Sequence, residues 1–312
     1  MKFSFLFAFD ENYFNQGCVA IFSLLENLDF KTEIHVILDE TNQDFKFPDK
    51  ILFHKNLYSL KIKTLNVDDK FYNVDGSHVS KATFYRLYLS NIFKDEVDKL
   101  VYLDADIVCL NNPTTEINET FKQMENLNLN YGFLDELKKK QDAGPFIRLG
   151  MTKDKYFNAG VMLFSFQHWK ENNMTNKALK LRNSLKEKAI FWDQDILNAL
   201  IDGEYFSMSK NLNYKCSEHE REITNNLISE KNIKLLHYSG KGKPWEVGGI
   251  FEEAGKEYHL YYQELFNKKF HVISKNKKNS IKRLYKNKKN FRDLSILDLI
   301  LYLYLSFKKI IF

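Results

Sequence analysis

Hydrophobic and polar positions in the first forty residues show two kinds of pattern, continuous apolar runs and helical spacing. The run "FSFLFAF" at 3–9 is continuously apolar over the length of a strand, and "TEIHVILDE" at 32–40 indicates a second strand. Between them, "GCVAIFSLLENL" at 17–28 has the apolar spacing of a helix. A strand, a helix and a strand at this spacing predict a βαβ unit. We therefore expect a parallel sheet with a crevice at the carboxyl ends of its strands.

The same alternation continues to about residue 245 and predicts an α/β fold. Residues 114–150 are polar and are predicted to be irregular. Ser80 is a plausible cap for the helix that follows it. Further strands are predicted at 60–67, within "DKLVYLDADIVCL" at 98–110, at 156–166 and at the start of 232–245, and further helices at 80–93, 174–185 and 193–201.

Charge is divided unevenly along the 312 residues, a length that suits one large α/β domain or two modest ones. The net charge is +5, yet residues 268–312 hold 13 Lys and Arg against two acids, which leaves the rest of the chain acidic. A uniform nucleic-acid-binding surface would not divide in this way, so no nucleic-acid partner is expected.

The cysteines and the amino terminus point to a reducing cytoplasm. Cys18, Cys109 and Cys216 are odd in number and scattered, which predicts no disulfide framework and no Cys-x-x-Cys metal site. The apolar start runs into Asp10 and Glu11 without a small-residue cleavage site, so it reads as a buried strand and not as a signal peptide.

Asp104 and Asp106 follow an apolar run in "VYLDADIVCL". A lone Asp-x-Asp is weak evidence, because turns and chance produce many. After a strand of an open α/β sheet it is more specific, since ligands bind there. In an extended segment both carboxylates would face one side while Ala105 turns away. A divalent cation would then remove their repulsion, and carboxylates suit Mg²⁺ or Mn²⁺ shared with phosphate.

A second acidic pair, Asp193 and Asp195, occurs in "FWDQDILNALI". The apolar positions that follow have helical spacing, so Asp193 as the N-cap and Asp195 in the first turn would explain both acids. That capping alternative stays open, but it does not explain Gln194 between them.

His237 precedes the loop "YSGKGKPW". A lone histidine most often simply closes a strand, but imidazole also binds Mn²⁺. Gly240 and Gly242 would allow close backbone approach, and Lys241 and Lys243 could meet phosphate charge. The loop lacks P-loop spacing.

Six motifs in this order, "FAFDENY", "TFYRLYL", "VYLDADIV", "YFNAGVMLF", "DQDILN" and "HYSGKGKPW", resemble glycosyltransferase family 8. The chain is most similar to its bacterial lipooligosaccharide galactosyltransferases and lipopolysaccharide glucosyltransferases. The resemblance runs to about Trp245. It implies the GT-A nucleotide-diphospho-sugar transferase fold, α/β with a mixed, mostly parallel sheet flanked by helices.

The resemblance also implies roles for individual residues, with a UDP-sugar as donor. Mn²⁺, or Mg²⁺ in its place, would be held by Asp104, Asp106 and His237. UDP would be bound by Ala8, Asp10, Asn12, Asp104, Ala105, Gly240 and Lys243. The donor sugar would be surrounded by Arg86, Asp135, Asn158, Ala159, Asp193 and Gln194.

The catalytic residues implied by the resemblance are Gln194, Asp193 and Lys243, in a reaction that retains anomeric configuration. A retaining glycosidase uses a carboxylate nucleophile. The amide of Gln194 is a poor nucleophile, which favours front-side departure and attack, with Lys243 stabilising the charge on UDP.

The predicted domains are a catalytic domain at 1–265 and a basic amphipathic segment at 266–312. The apolar stretch from Leu294 to Phe307 contains Asp298 and is shorter than the roughly 20 residues of a membrane span. A basic segment with Tyr, Phe and Leu suits the interface of an anionic membrane. The alternative is a last helix packed on the catalytic body.

The sequence therefore predicts a cytoplasmic enzyme, peripheral on the inner face of the bacterial cytoplasmic membrane. It would move a hexose, galactose before glucose, from a UDP-sugar to a lipooligosaccharide or lipopolysaccharide acceptor. Acceptor contacts are expected from 65–80 and 136–155. Two alternatives are a sugar-phosphate nucleotidyltransferase, whose glycine-rich basic amino-terminal signature is missing, and a non-catalytic, membrane-bound sugar-nucleotide-binding protein.

Overall fold

The structure is a computed structural model that describes residues 3–39, 45–65, 81–93, 97–216, 225–240, 242–251, 253–273 and 295–311. The strands are β1 (Ser4–Ala8), β2 (Thr32–Asp39), β3 (Leu57–Leu65), β4 (Lys99–Leu103), β5 (Ile107–Cys109), β6 (Tyr131–Lys138), β7 (Lys155–Ser165), β8 (Phe206–Ser207), β9 (Tyr214–Lys215) and β10 (Leu235–His237). The α-helices are α1 (Phe14–Asn27), α2 (Asp49–Leu52), α3 (Leu89–Ile92), α4 (Thr114–Asn126), α5 (Gly144–Leu149), α6 (Phe166–Glu171), α7 (Met174–Leu185), α8 (Trp192–Ile201), α9 (Asn225–Glu230), α10 (Glu253–Phe266) and α11 (Ile296–Ile311). Turns of 3₁₀ helix occur at Glu11–Tyr13, Lys81–Tyr88, Lys186–Lys188, Lys210–Leu212 and Gly249–Phe251.

A seven-stranded sheet in the order β3-β2-β1-β4-β7-β6-β8 forms the centre of the molecule. Its first four strands are parallel, β7 is antiparallel to β4 and β6, and β8 is parallel to β6. A smaller sheet has the order β5-β10-β9, and its strand β5 directly follows β4 along the chain. The predicted mixed, mostly parallel sheet is confirmed.

Both faces of the central sheet are covered by apolar side chains. On one face, Phe5 and Phe7 belong to a buried cluster that includes α1, and on the other, Leu6 and Tyr102 belong to a cluster that includes α8. All five residues of β1 are buried. A strand covered on both faces has no polar side, which explains why "FSFLFAF" is continuously apolar.

The prediction for 114–150 is wrong, since this stretch contains the whole of α4, β6 and α5. Helix α4 buries Ile117, Phe121 and Met124 at helical spacing, but the polar residues between them obscured the pattern. The helix predicted at 80–93 is confirmed as helical, although most of it is a 3₁₀ helix. Ser80, its predicted cap, lies outside the described residues.

Helix α11 packs on the rest of the molecule through one side. Tyr302 is fully buried in a cluster with Val247, Ile250 and Phe270, and its hydroxyl accepts a 2.7 Å hydrogen bond from the Gly248 amide. The opposite side exposes apolar residues to solvent, namely Ile296, Leu297, Ile300, Leu301 and Tyr304. Among the residues described, no helix has the length and apolar character needed to cross a bilayer.

Candidate active site

The Asp104–Asp106 pair lies in the turn that connects β4 to β5. The Asp104 amide donates to the Gly160 carbonyl at 2.9 Å, and the Ile107 amide donates back to the Asp104 carbonyl at 3.3 Å. The expected extended backbone is therefore wrong, because the chain leaves the large sheet here and turns to join the small one. Ala105 is buried in the core, as an anchor between the two carboxylates.

His237 reaches the pair from the end of β10. This strand is antiparallel to β5, with His237 opposite Ile107, so the imidazole lies beside the turn. One ligand atom from each of Asp104, Asp106 and His237 can be chosen so that all three lie within 4.8 Å of one another. His237 ends a strand, as a lone histidine most often does, and it also lies beside both acids.

Each of the two carboxylates has its own positively charged partner. Arg86 Nη2 donates to Asp104 Oδ1 at 2.6 Å, and Lys243 Nζ donates to Asp106 Oδ2. Burial would raise the pKa of Asp106, but Lys243 and then His237 outweigh it and lower that pKa. Burial would likewise lower the pKa of Lys243, and Asp106 raises it instead. Both side chains are therefore charged.

One oxygen of Asp106 forms no hydrogen bond, which tests whether a metal fits. Asp106 Oδ1 is buried and forms no hydrogen bond, although it lies 3.3 Å from His237 Nε2. A buried acceptor without a partner is costly, and two carboxylates with an imidazole are suitable ligands for Mn²⁺. These residues fit the metal that the family resemblance implies.

Arg86 connects the turn to helix α8. Its Nε lies 3.0 Å from Asp193 Oδ2, and its Nη1 donates to the Ala159 carbonyl at 2.7 Å. Burial raises the pKa of Asp193 to about 7; Arg86 opposes this shift and Asp104 adds to it. Asp193 is the second residue of α8 and not its predicted N-cap.

Asp195, the other acid of the second pair, supports the start of α8. It accepts from the Phe191 amide at 2.8 Å, from Tyr156 at 2.7 Å and from Arg148 at 2.7 Å. The capping role suggested by the sequence therefore belongs to Asp195. Asp193 and Gln194 instead contact Arg86 and Ala159 respectively.

Gln194 has an amide whose hydrogen-bonding capacity is filled. Its Oε1 accepts from the Ala159 amide at 3.0 Å and from Asn158 Nδ2 at 3.3 Å. Its Nε2 donates to Glu136 Oε2 at 3.0 Å and to Tyr156 Oη at 3.2 Å. Partners on both ends fix which way the amide points.

Asp135, the predicted sugar contact on β6, points to other partners. It accepts from Tyr205 Oη at 2.9 Å and from Ser207 Oγ at 2.8 Å, both near β8. The carboxylate that contacts Gln194 is that of the next residue, Glu136, which also pairs with Lys215. The β6–β7 register shifts between Asp135 and Leu137, so a bulge places Glu136 here.

The predicted uridine residues follow β1. Ala8 ends the strand, and Asp10 caps the 3₁₀ turn, since its Oδ1 accepts from the Tyr13 amide at 3.1 Å and its Oδ2 from Asn12 Nδ2 at 3.4 Å. The Tyr13 ring packs edge-on against Trp245, with ring centroids 5.9 Å apart. This contact brings the β1 loop to the loop that carries Lys243.

The glycine loop after β10 has an open, left-handed position. Gly240 has φ +75°, and a Cβ built there would contact nothing within 4 Å. The residue thus leaves space for a ligand against its backbone. Lys241 lies outside the described residues.

Direct contacts join nine of the predicted residues into one site through an unpredicted residue, Asn213, and Asp135 is outside this network. Sequence reasoning missed Asn213 and Glu136. Glu136 adjoins the predicted Asp135 in "FLDEL", but the bulge in β6 that selects it depends on pairing with β7, which the sequence does not show. No pattern in "NLNYKC" marked Asn213 as a site residue. The nine residues are Arg86, Asp104, Asp106, Asn158, Ala159, Asp193, Gln194, His237 and Lys243.

Comparisons with known proteins agree with this architecture. The model of the family described as "Glycosyl transferase family 8" matches residues 5–248. General stress protein A of Bacillus subtilis is 26% identical over 87% of this chain and 93% of its own length. A lipopolysaccharide 1,2-glucosyltransferase of Escherichia coli K12 is 27% identical over 78% of this chain and 72% of its own. The crystal structure of the galactosyltransferase LgtC in complex with donor and acceptor sugar analogs superposes with a TM-score of 0.71, at 22% identity, over 84% of this chain and 96% of that one.

Proposed function

The chain belongs to glycosyltransferase family 8 and is a transferase, and on that premise we propose that it moves a hexose from a UDP-sugar to a lipooligosaccharide or lipopolysaccharide acceptor with retention of configuration. The observation that carries the proposal is the cluster of Asp104, Asp106 and His237 beside Lys243. Anionic and imidazole ligands next to a buried cation suit a metal-bound diphosphate.

The proposed metal site is made of Asp104, Asp106 and His237. Bound there, Mn²⁺, or Mg²⁺ in its place, would supply Lewis-acid stabilisation of the charge that develops on the diphosphate. The Oδ1 of Asp106 supports this assignment, because it is buried without a hydrogen bond and a cation would compensate its charge.

The nucleotide would lie between the β1 loop and the glycine loop. Ala8, Asp10 and Asn12 would receive uracil and ribose, and the backbone of Ala105 and Gly240 would approach the diphosphate. Lys243 is buried against Asp106. Its ammonium can therefore donate a hydrogen bond to a phosphate oxygen while it keeps its contact with Asp106. A fixed cation at this position would favour departure of UDP.

The donor sugar would lie against β7 and the start of α8. Arg86, Asn158, Ala159, Asp193 and Gln194 are joined by direct contacts there. Asp135 was expected in this set. Glu136, which contacts Gln194 and lies near Asn158, is the carboxylate that we now propose for its role.

We propose front-side displacement for the transfer. The bond from the anomeric carbon to the phosphate oxygen breaks, and its electron pair leaves with UDP. The acceptor hydroxyl oxygen then bonds the anomeric carbon on the same face, and its proton passes to the departing phosphate oxygen. The amide oxygen of Gln194 already accepts two hydrogen bonds, which makes it a still weaker nucleophile, so its role is to orient the sugar.

The acceptor and donor identities rest on resemblance. The names of the relatives include both glucosyl and galactosyl transfer. We keep galactose as the favoured hexose, since the motifs are most similar to galactosyltransferases. Of the expected acceptor regions, residues 66–80 lie outside the described residues, and 136–155 spans the end of β6, α5 and the start of β7.

We also propose that the enzyme works on the inner face of the cytoplasmic membrane, bound through residues 266–312. The exposed apolar side of α11 and the 13 basic residues of 268–312 support this placement. Apolar side chains would enter the interface while the basic residues meet anionic headgroups.

Release of UDP tests the proposed activity. The protein, incubated with Mn²⁺ and a panel of UDP-sugars without acceptor, should release UDP slowly from one donor, with UDP-galactose first. EDTA should stop the release. A nucleotidyltransferase would instead release pyrophosphate from UTP and a sugar phosphate, and a binding protein would release nothing while still binding a donor.

A further inference from the structure

The imidazole of His237 has one nitrogen toward the proposed metal site and the other toward an asparagine. Nε2 lies 3.3 Å from Asp106 Oδ1 and forms no hydrogen bond with it. Nδ1 lies 2.8 Å from Oδ1 of Asn213, a residue with no exposed surface. A neutral imidazole binds a metal only through the nitrogen that lacks a proton, so the proton position decides whether His237 is a competent ligand.

That proton position follows from a chain of hydrogen bonds that begins at a backbone amide. The Gly160 amide donates to Asn158 Oδ1 at 3.0 Å. A backbone N–H can only donate, so the oxygen of the Asn158 side chain must face it. The direction of the Asn158 amide is therefore set by the backbone of β7.

Asn213 continues the chain in the same direction. Its Nδ2 donates to Asn158 Oδ1 at 2.9 Å, because an oxygen there requires a donor. Its own Oδ1 is then turned to His237 Nδ1. An amide oxygen accepts only, so Nδ1 carries the proton and the lone pair of the neutral ring is on Nε2.

We propose that Asn213 is a positioning residue that holds His237 in the Nδ1-protonated tautomer and presents Nε2 as a ligand to a divalent cation. The proposal deepens, and rests on, the proposed metal function of Asp104, Asp106 and His237. Partners of this kind on the far nitrogen of a metal-bound histidine fix both its tautomer and its orientation.

The backbone around Asn213 makes this arrangement rigid. Asn213 immediately precedes β9, and β9 pairs with β10, which ends at His237. The Asn213 amide donates to the Lys210 carbonyl at 3.1 Å, and the Cys216 amide donates to the His237 carbonyl at 2.8 Å. The side chains of Asn213 and His237 are thus held together by the small sheet, independently of any ligand.

The tautomer can be measured on the unmodified protein without metal. Two-bond proton–nitrogen correlation spectra of protein with ¹⁵N-labelled histidine, recorded above the titration range of imidazole, should show His237 protonated on Nδ1. A His237→Gln variant identifies the signal among the eight histidines by its loss. A His237 protonated on Nε2 would overturn the proposal, even if an Asn213 variant failed to fold.

Metal affinity tests the consequence. Loss of free Mn²⁺ signal in electron paramagnetic resonance, measured without donor, should show about 10- to 100-fold weaker binding by Asn213→Leu than by the parent. Asn56→Leu is the matched control, since Asn56 is a buried asparagine that donates to the Leu25 and Leu28 carbonyls, away from the site. It should bind Mn²⁺ as the parent does.

The outcomes separate this proposal from the one on which it rests. If the parent binds no divalent cation, the proposed metal function fails, whatever the tautomer. If the parent binds Mn²⁺ and folded Asn213→Leu binds it equally well, the role of Asn213 fails and the metal site stands. Equal weakening in Asn213→Leu and Asn56→Leu would assign the loss to general destabilisation and also overturn the proposal.

Discussion

Gly160 leaves the space that the imidazole of His237 occupies: a Cβ built on Gly160 would lie 2.2 Å from His237 Cε1. The same glycine contributes its carbonyl to the Asp104 amide and its own amide to Asn158. One residue of β7 thus adjoins two predicted metal ligands, and its lack of a side chain is a requirement of the site.

Gly160→Ala is therefore expected to displace His237 and to weaken Mn²⁺ binding by about tenfold or more. Isothermal titration with Mn²⁺ measures the change, and circular dichroism reports on folding. Gly144→Ala is the control, because a Cβ there meets only the exposed Asp142 side chain, at 3.1 Å. Parent-like Mn²⁺ binding by Gly160→Ala would show that His237 is not a ligand.

The neighbours Asp135 and Glu136 provide a matched pair of variants. Glu136→Ala removes one of the two acceptors of Gln194 Nε2 and the partner of Lys215, so kcat/KM for UDP release from the donor should fall by about tenfold or more. Asp135→Ala breaks contacts with Tyr205, Ser207 and the partly exposed Lys138, none of which touches Gln194, and should cost less than about threefold. The opposite order would restore Asp135 as the sugar contact.

Gln194→Ala tests the front-side mechanism. If Gln194 only orients the sugar, transfer should fall by roughly 10²-fold and stay measurable, whereas loss of a covalent nucleophile costs about 10⁶-fold in a serine protease. Donor affinity, measured by UDP-sugar titration, serves as the control for an intact site. Abolished transfer with intact donor binding would favour a covalent intermediate.

Acid is expected to weaken the attachment of residues 269–273 to α10. His259 Nε2 contacts the Pro244 carbonyl at 3.0 Å, its Nδ1 accepts from the His271 amide at 3.3 Å, and His271 Nδ1 lies 2.7 Å from Tyr258 Oη. Burial lowers the pKa of His259 to about 4 and, with the nearby His259, that of His271 to about 3.

The sign of the effect follows from these depressed pKa values. Above about pH 6.5 the imidazoles are neutral whether the segment is docked or released, so their contribution to docking stability is fully present. As pH falls toward 4, the imidazole in the released segment binds a proton while the docked imidazole stays neutral, and this contribution is lost. For His259 the loss approaches about 3 kcal/mol. Amide exchange of 269–273, corrected for intrinsic rates, should rise between pH 7.5 and 5 relative to β1, which has no ionisable side chain. A constant ratio would contradict the prediction.

The exposed side of α11 gives a direct test of membrane binding. Ile296→Asp combined with Ile300→Asp should reduce flotation with vesicles that contain phosphatidylglycerol, and should leave UDP release unchanged because both side chains face solvent. Phe53→Asp is the control, since Phe53 is an 82% exposed apolar residue at the end of α2. Unchanged flotation of the double variant would argue against α11 as the anchor.

Deletion of 268–312 is a less specific version of this experiment. The Ile273 amide donates to the Trp245 carbonyl at 2.6 Å, and Tyr302 accepts from Gly248. Both contacts hold the loop that follows Lys243. A truncated protein should therefore lose donor affinity as well as membrane binding, whereas the surface substitutions separate the two.

Much of the fold could be predicted because each element carries its own signal. Strands β1, β2 and β4 are buried on both faces and read as apolar runs, and α1 and α8 have helical spacing. Helix α4 was missed, since its apolar positions are few and separated by polar ones. The order of the strands and the antiparallel direction of β7 depend on pairing between distant segments, which no local pattern encodes.

By itself, the sequence determined the residue types of the site and the place of Asp104, Asp106 and His237 at the ends of strands. Which of two adjacent acids contacts Gln194 depends on a bulge in β6, and the partner of His237 depends on the pairing of β9 with β10. The charge of the Asp104–Asp106 pair is likewise met by Arg86 and Lys243, which are 18 and 137 positions away along the chain. Hydrogen bonds and ion pairs act over a few ångströms, so only the tertiary structure, which brings such residues to that distance, could decide these partners.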